Sequence, residues 1–333
     1  MIGYYVHHVG AGHLHRATAL AEVLDLPVTG LSSLPRPAGW RGPWVELPRD
    51  DHDPAPTGVD ANGRLHWVPE HDAGLRGRMA RLSAWIGEAA PALLVSDVSV
   101  EVSLLARLHG VPVLGVVLPG DRSDDAHRLG LDVCDALVGL WPEGSPDLAT
   151  GLAEAQRARL HRVGALSRFP VAAPAPRRPG PRRVTVLAGR GGAFDPAVLA
   201  AAQEQTPDWA WTLLGGGTWV DDPWRAVVDA DVVVTHAGQN ALAEVAAARR
   251  PAVVLPQDRP HAEQATTASV LASGGWPVLV EPTAPADGWA ERLERAAALD
   301  GSAWAGWCDG HAAERFADVV RSMLPARPRA VSA

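Results

Sequence analysis

Two segments of the chain share one order of elements: an apolar run, a glycine-rich turn and a helical pattern. Residues 2–9 run into Gly10-Ala11-Gly12, after which alanine and leucine recur at helical spacing. Residues 184–187 run into a second glycine turn at 189–192, followed by a predicted helix over 196–205. This order is typical of the first crossover of a parallel, doubly wound sheet. Two such starts predict two separate α/β sheets.

The alternation of strands and helices continues in both halves. In the first half, strands are predicted at 92–95 and 113–118, with a helix over 102–108 between them. In the second, strands are predicted at 210–214, 231–235 and 252–255. A last amphipathic helix is predicted over 312–323.

A stretch over residues 163–183 separates the two halves. It is dense in proline and arginine, and proline cannot donate the hydrogen bonds of helices or ladders. We therefore predict a Rossmann-like domain over 1–165, a linker over 166–182, a second Rossmann-like domain over 183–324 and a disordered tail over 325–333. Ligands are expected between the two domains.

The composition of the chain argues against several classes of function. The formal charge of -8 disfavours a nucleic-acid partner, and the chain contains no lysine, which excludes Schiff-base and Walker-type lysine chemistry. Its 2 cysteines are too few for a zinc motif or a disulfide framework. No apolar run approaches the roughly 18 residues of a membrane span, so we expect a cytoplasmic protein.

The most specific cluster follows the predicted strand at 231–235. It reads VVVTHAGQNALAE over residues 232–244, and Glu263-Gln264 come after the next strand. The strand carries His236 to the carboxyl edge of the sheet, where the helix starting near Gln239 directs its free amides. Helix amides, the helix dipole and an imidazole together suit a diphosphate. Glu244 lies one turn beyond Asn240 on the same helix face, where it could accept hydrogen bonds from a ribose diol.

HAGQNALAE and the later acidic-Gln pair resemble the donor-binding segment of GT-B nucleotide-sugar glycosyltransferases, whose pattern is HxGxN(S/T)xxE and then (D/E)Q. GAGHLHRA near the amino terminus resembles the glycine-rich loop of the same superfamily, in which a histidine is the general base. The resemblance spans most of the chain and is strongest to muramyl-peptide N-acetylglucosaminyltransferases and macrolide-type transferases. It implies an α/β GT-B fold, with two Rossmann-like doubly wound domains facing a central cleft.

The resemblance also implies roles for individual residues. His236 would contact the diphosphate, Glu244 the ribose, and Glu263 and Gln264 the sugar. The first domain would bind the acceptor and the second the nucleotide sugar. The implied donor-binding residues are Gly12, Gly189, Gly191, Gly192, His236, Gly238, Gln239, Asn240, Glu244, Glu263 and Gln264.

His13 and Asp97 are the candidate catalytic residues. His13 follows Gly12 at a helix start, where the positive end of the dipole favours the neutral imidazole that a base requires. Asp97 ends a predicted strand of the same domain and could fix the tautomer of His13, as the family's His-Asp pair does. The alternative for Asp97 is an ordinary helix cap before Val98.

These observations predict an inverting, metal-independent glycosyltransferase that moves a sugar from a UDP- or dTDP-sugar to a hydroxyl of a small-molecule or lipid-linked acceptor. No cofactor, metal ligand or nucleic-acid partner is expected. Two alternatives stay open: a nucleotide-sugar hydrolase of the same fold, and a non-catalytic nucleotide-sugar-binding protein. Asp229 and Asp231 imitate a metal-binding DxD but precede their strand, which favours a turn and cap. Trp40, Trp44, Trp67 and Trp85 are acceptor-side candidates.

Overall fold

The fold is known from a computed structural model, which describes residues 1–173, 179–189, 192–215 and 222–325, without the side chain of Ala11. Strands and helices alternate through most of this length. The predicted tail lies outside the described residues from 326 onward, as do residues 174–178 of the predicted linker. Among the described helices, none combines the length and apolar character needed to cross a membrane.

The first half of the chain builds a parallel seven-stranded sheet flanked by helices. Its strand order is β3-β2-β1-β4-β5-β7-β9, and β6 pairs with β8 in a separate small ladder. The elements are β1 (Ile2–Tyr5), α1 (Ala11–Val23), β2 (Val28–Ser32), β3 (Trp44–Glu46), α2 (Ala73–Ala89), β4 (Leu94–Asp97), α3 (Val100–Leu108), β5 (Val113–Val117), β6 (Gly120–Asp121), α4 (Asp125–Asp132), β7 (Ala136–Gly139), β8 (Ala149–Thr150), α5 (Glu154–Arg157) and β9 (Leu160–Arg162).

The second half builds a parallel five-stranded sheet, in the order β11-β10-β12-β13-β14. Its elements are β10 (Arg182–Leu187), α6 (Pro196–Glu204), β11 (Trp209–Leu214), α7 (Trp224–Val228), β12 (Val232–Thr235), α8 (Gln239–Ala247), β13 (Ala252–Val254), a 3₁₀ turn (Pro260–Ala262), α9 (Glu263–Ser273), β14 (Val278–Val280), α10 (Trp289–Ala297), a second 3₁₀ turn (Gly301–Gly306) and α11 (Ala312–Met323).

The central strands are buried on both faces. Every residue of β1, β4, β5 and β12 is buried, which is why these segments are mostly apolar rather than alternating, although β4 ends in the buried polar pair Ser96-Asp97. Strand β1 ends at Tyr5, earlier than the predicted 2–9. The Val6 amide still bonds the Leu31 carbonyl, and the chain then turns toward Gly10, whose φ is 93°. The catalytic candidate His13 follows this turn.

The last helix returns to the first sheet. Phe316 and Val320 of α11 are fully buried with Ile2 and Leu20, and Arg321 donates to the Val23 carbonyl over 2.9 Å. Helix α11 lies within the range predicted for the second domain, yet its apolar face belongs to the core of the first half. The two halves are therefore joined both by the segment before β10 and by this helix.

Candidate active site

His13 and Asp97 meet at the carboxyl edge of the first sheet. Asp97 is the last residue of β4 and is fully buried, and His13 lies in the first turn of α1. His13 Nδ1 is 2.9 Å from Asp97 Oδ1. A carboxylate at this distance can hold the ring so that Nε2 is the basic nitrogen. The structure thus brings together the two residues predicted as catalytic.

Asp97 does not cap a helix. The cap of α3 is Ser99, whose hydroxyl accepts from the Val102 amide, so the cap alternative for Asp97 is wrong. The chain reaches Ser99 through Val98, which has a φ of 66°. Left-handed backbone is costly for a β-branched residue and is held only where surrounding packing fixes it. This turn lets the Asp97 side chain face α1.

Arg16 is a site residue that the sequence analysis missed. Its Nε donates to Asp97 Oδ2 over 3.1 Å, one Nη donates to Oδ1 over 3.0 Å, and Tyr4 donates to Oδ2 over 3.2 Å. Burial alone would raise the pKa of Asp97, but Arg16 and His13 outweigh burial and hold it well below its usual range. Asp97 is therefore a charged, fixed group. The sequence did contain one signal for Arg16: it lies three residues after His13, on the same face of the predicted helix.

Arg16 also contacts His13 itself. The Nη that bonds Asp97 lies 2.8 Å from His13 Nδ1. A guanidinium can only donate, so Nδ1 accepts from Arg16 in one tautomer and donates to Asp97 in the other. Only the second tautomer leaves Nε2 free to take a proton. Arg16 and Asp97 therefore compete for His13 Nδ1, and the bond to Asp97 is the one that leaves Nε2 basic.

His236 lies at the edge of the second sheet, just beyond β12. It is buried beneath Phe194, whose ring stacks on the imidazole at 3.9 Å, and its Nδ1 lies 2.8 Å from the Leu255 carbonyl. Nδ1 must be the donor, because a carbonyl only accepts. Nε2 is buried without a hydrogen-bond partner among the described residues. Burial lowers the pKa of His236, so the free ring is neutral near pH 7.

The second glycine turn lies against this imidazole. A side chain at Gly192 would come within 3.4 Å of His236 Nε2 and 2.8 Å of Gln257. Gly189 has open space where a side chain would be. Helix α8 starts two residues beyond Ala237, with Gly238 as an N-cap that supplies no side-chain hydrogen bond. Predicted Gly191 lies outside the described residues.

Glu263 and Gln264 differ in their surroundings. Gln264 is buried, and its Oε1 accepts from the amides of Ala237 and Gln257 over 3.2 and 2.9 Å. That oxygen ties the turn after β12 to the loop after β13. Glu263 begins α9 and lines a cavity between the halves. Of the pair, Glu263 borders open space, whereas the Gln264 amide is used within the protein.

Glu244 is engaged in an ion pair. Arg168 donates from Nε to Glu244 Oε1 over 2.7 Å, and the space beside the pair is a cavity of only about 10 Å³, room for one water. Burial raises the pKa of Glu244, and Arg168 opposes that effect. A ribose could reach this carboxylate only if Arg168 moves. Arg168 is a second residue that the sequence analysis did not single out.

The first turn of α1 and the start of α8 are in contact across the two halves. A side chain at Gly12 would lie 1.9 Å from Asn240 Nδ2, so the Asn240 side chain could not keep its place beside any larger residue. Arg16 Nη1 donates to Gln239 Oε1 over 3.5 Å. Gly12 and Asn240, both predicted for the donor, thus meet where the His13 turn faces the α8 N-terminus.

A larger cavity of about 410 Å³ opens between the halves and extends into the first. His7 lines it, and the His7 ring centroid lies 5.4 Å from that of His13. Most of the wall is apolar. Elements α3, α4 and β5 contribute to it from the first half, and Pro260, His261 and Glu263 from the second. Burial, with His13 and His8 nearby, lowers the pKa of His7 to about 3. The size is that of a site for a drug-sized molecule.

The tryptophan candidates and the two aspartates of the DxD-like motif do not line this cavity. Among the described residues no tryptophan lines the larger cavity, and Trp40 packs edge-on against Trp44 in the first half. Asp231 accepts from the Arg183 amide over 2.8 Å, and Asp229 lies 3.8 Å from Arg225. Both aspartates therefore have local structural partners.

Comparisons with known proteins agree with this architecture. Residues 218–281 match the glycosyltransferase family 28 C-terminal domain. No curated protein sequence matches the chain. Among solved structures, the glycosyltransferase of kitacinnamycin is 19% identical with a TM-score of 0.72, over 97% of this chain and 99% of that one.

Two further structures have the same fold. The spinosyn forosaminyltransferase SpnP is 15% identical with a TM-score of 0.67, covering 97% of this chain and 98% of its own. Acinetobacter baumannii MurG is 15% identical with a TM-score of 0.62, covering 96% of this chain and 99% of its own. The predicted GT-B fold of two Rossmann-like units is confirmed.

Proposed function

We propose that this GT-B protein, whose residues 218–281 match the glycosyltransferase family 28 C-terminal domain, transfers a sugar from a UDP- or dTDP-sugar to an acceptor hydroxyl with inversion. The observation that carries the proposal is the meeting of two halves of a reaction site. A buried Asp97 holds His13 on one side, and Gly12 brings that turn against Asn240 of α8 on the other.

In the proposed reaction, His13 Nε2 takes the proton of the acceptor hydroxyl while its Nδ1–H donates to Asp97. The acceptor oxygen attacks the anomeric carbon, and the bond from that carbon to the diphosphate oxygen breaks. No covalent enzyme intermediate forms, so one displacement inverts the configuration. The diphosphate carries away the bonding electron pair, and His13 retains the proton.

The departing diphosphate needs positive charge and donors in place before it forms. We propose that His236, protonated at Nε2 when the nucleotide sugar binds, supplies them together with the uncapped amides of α8 and the glycine turn at Gly189 and Gly192. His236 Nε2 is already desolvated and has no other partner among the described residues. This arrangement handles the diphosphate without a metal ion.

The acceptor is proposed to be a small molecule bound in the 410 Å³ cavity. Its wall is mostly apolar, and it begins next to His7 and therefore close to His13. A mostly apolar pocket of this size buries an organic molecule far better than it binds water alone. Transfer is thereby favoured over hydrolysis.

One experiment separates the proposed function from its alternatives. The protein is incubated with UDP- and dTDP-sugars, with and without a panel of hydroxylated aromatic and polyketide-like acceptors, and diphosphate and sugar products are followed by NMR. Acceptor-dependent product of inverted configuration supports transfer. Free sugar alone would indicate a hydrolase, and binding without turnover would indicate a non-catalytic protein.

A further inference from the structure

Three imidazoles and one carboxylate lie together where the two halves meet, at the wall of the larger cavity. They are His66 in the segment between β3 and α2, Asp124 at the N-cap of α4, His127 in its first turn and His261 in the 3₁₀ turn before α9. One ligand atom from each lies within 4.8 Å of all the others. We call these four residues the interface cluster.

The Asp124 carboxylate lies between two of the imidazoles. Its Oδ1 is 3.6 Å from His66 Nε2, and its Oδ2 is 3.6 Å from His261 Nδ1. Ligands that bind one tetrahedral ion at about 2.0–2.2 Å are about 3.3–3.6 Å apart, so both spacings are those of ligands sharing an ion. They are also too long for direct hydrogen bonds.

His127 is not a candidate ligand, because its contact with Arg122 fixes its tautomer. Arg122 Nη1 lies 2.8 Å from His127 Nε2, and because arginine only donates, Nε2 must accept. Nδ1 therefore carries the proton, which it donates to Asp124 Oδ2 over 2.5 Å. His127 has no lone pair left for a metal. It orients the carboxylate, as partners of metal-bound carboxylates do.

Two further observations point to a ligand. His66 Nε2 is buried without a hydrogen-bond partner among the described residues, so this ring nitrogen is available to a ligand. His261 is held with a φ of 59° and Ala262 with a φ of 54°, a strained turn that brings the His261 ring to the first half. Gly120, with a φ of 110°, allows this approach, because a side chain there would lie 2.4 Å from the His261 carbonyl.

We propose that His66 Nε2, His261 Nδ1 and the Asp124 carboxylate bind one divalent transition-metal ion, with Zn²⁺ the best match. Two imidazoles and a carboxylate suit Zn²⁺ better than Mg²⁺ or Ca²⁺, which select oxygen ligands. Three protein ligands leave a fourth position for water or for a group of a molecule in the cavity. The bound ion would tie the second half to the first.

Charges around the cluster are compatible with this assignment. The Asp124 carboxylate is the acidic member of the cluster, and the His127 ring and backbone amide both donate to it. The Arg122 charge opposes a cation, although Arg122 is held by the Leu118 and Pro119 carbonyls and by His127.

The ion site does not depend on the proposed function. None of its three ligands is a residue proposed for the diphosphate or the proton transfer. The test therefore uses the metal alone: the full chain is stripped with EDTA and dialysed, then titrated with Zn²⁺ by calorimetry and with Co²⁺ by visible absorption, without nucleotide. We expect one ion per chain and a tetrahedral-type Co²⁺ spectrum.

Variants locate the ion. His66→Gln and His261→Gln should each abolish the Co²⁺ spectrum, whereas His127→Gln should keep it and weaken Zn²⁺ affinity by about 10- to 100-fold. The matched control is His8→Gln, in a second His-Asp cluster whose Asp50 is paired with Arg78, and it should bind as the parent does. Circular dichroism checks that each variant is folded.

Several results would overturn the proposal. They are absence of Zn²⁺ binding by the folded parent, an unchanged spectrum in both ligand variants, and loss of the ion in His8→Gln. Complete loss of the ion in folded His127→Gln would instead make His127 a ligand and contradict the assignment. These tests measure only metal binding. Nucleotide binding and turnover are measured separately, so the metal site can be disproved without disproving the proposed function.

Discussion

At the scale of single residues, both site histidines have Nδ1 engaged, His13 with the Asp97 carboxylate and His236 with a backbone carbonyl, and they differ in what Nε2 is proposed to do. His236 uses Nδ1 as a donor to the Leu255 carbonyl, so Nε2 of the neutral ring carries a lone pair. A phosphate oxygen also accepts, and two acceptors cannot bond each other. His236 must therefore gain a proton to hold the diphosphate.

This requirement predicts a pH dependence of nucleotide binding. Burial lowers the pKa of free His236, and a bound anion raises it. Between those two pKa values binding takes up a proton, so affinity falls as pH rises, by up to about tenfold per unit. Calorimetry of UDP and dTDP in buffers of different ionisation enthalpy measures the uptake. His236→Gln should remove it, and equal uptake by parent and variant would contradict this role.

A second prediction concerns Glu244, whose carboxylate is paired with Arg168 in the free protein. Glu244→Ala should weaken nucleotide binding by about 10- to 100-fold through loss of charge-assisted bonds to the ribose. Arg168→Ala should not weaken it, since Arg168 only occupies the carboxylate in the free protein. Titrations of both variants with UDP and dTDP test this. Equal losses would mean that Glu244 acts through its ion pair and not through the nucleotide.

At the scale of elements, the approach of α1 to the start of α8 depends on Gly12. In Gly12→Ala the new methyl would overlap the Asn240 amide, so we expect that side chain to be displaced from α1, at a cost of about 1–3 kcal/mol. Gly87 of α2 is the control, because a methyl there meets nothing within 4 Å.

Gly87→Ala should instead raise stability by up to about 1 kcal/mol, as expected for an exposed helical glycine. Urea unfolding of the two variants and the parent gives both numbers. A neutral Gly12→Ala variant with full activity would show that the contact between the helices is dispensable.

The same elements show what the sequence could predict. Both glycine turns, most central strands and the α11 helix follow from apolar runs and periodicity, because buried parallel strands and amphipathic helices leave strong local patterns. The ion pairs of Arg16 with Asp97 and of Arg168 with Glu244 span 81 and 76 positions, and no local pattern encodes them. Nor could periodicity place His261 of the second half beside Asp124 of the first.

At the scale of the whole molecule, α11 links the end of the chain to its beginning. Phe316→Ala should cost about 3–5 kcal/mol, because the ring is fully buried in the core of the first half. Leu108→Ala, at a position 83% exposed, should change stability by less than about 0.5 kcal/mol. Chemical unfolding measures both. A small effect of Phe316→Ala would mean that α11 is not part of that core.

The central claim is that the first half supplies the general base, His13, and that the second half binds the nucleotide sugar. His13→Ala tests it most directly, by single-turnover transfer rate and nucleotide-sugar affinity measured on the same protein. The account predicts a rate about 10² to 10⁴-fold below the parent, with affinity nearly unchanged, because a general base acts only in the reaction step. Full activity in His13→Ala would contradict it, as would an equal loss of donor binding, which would move His13 into the donor site.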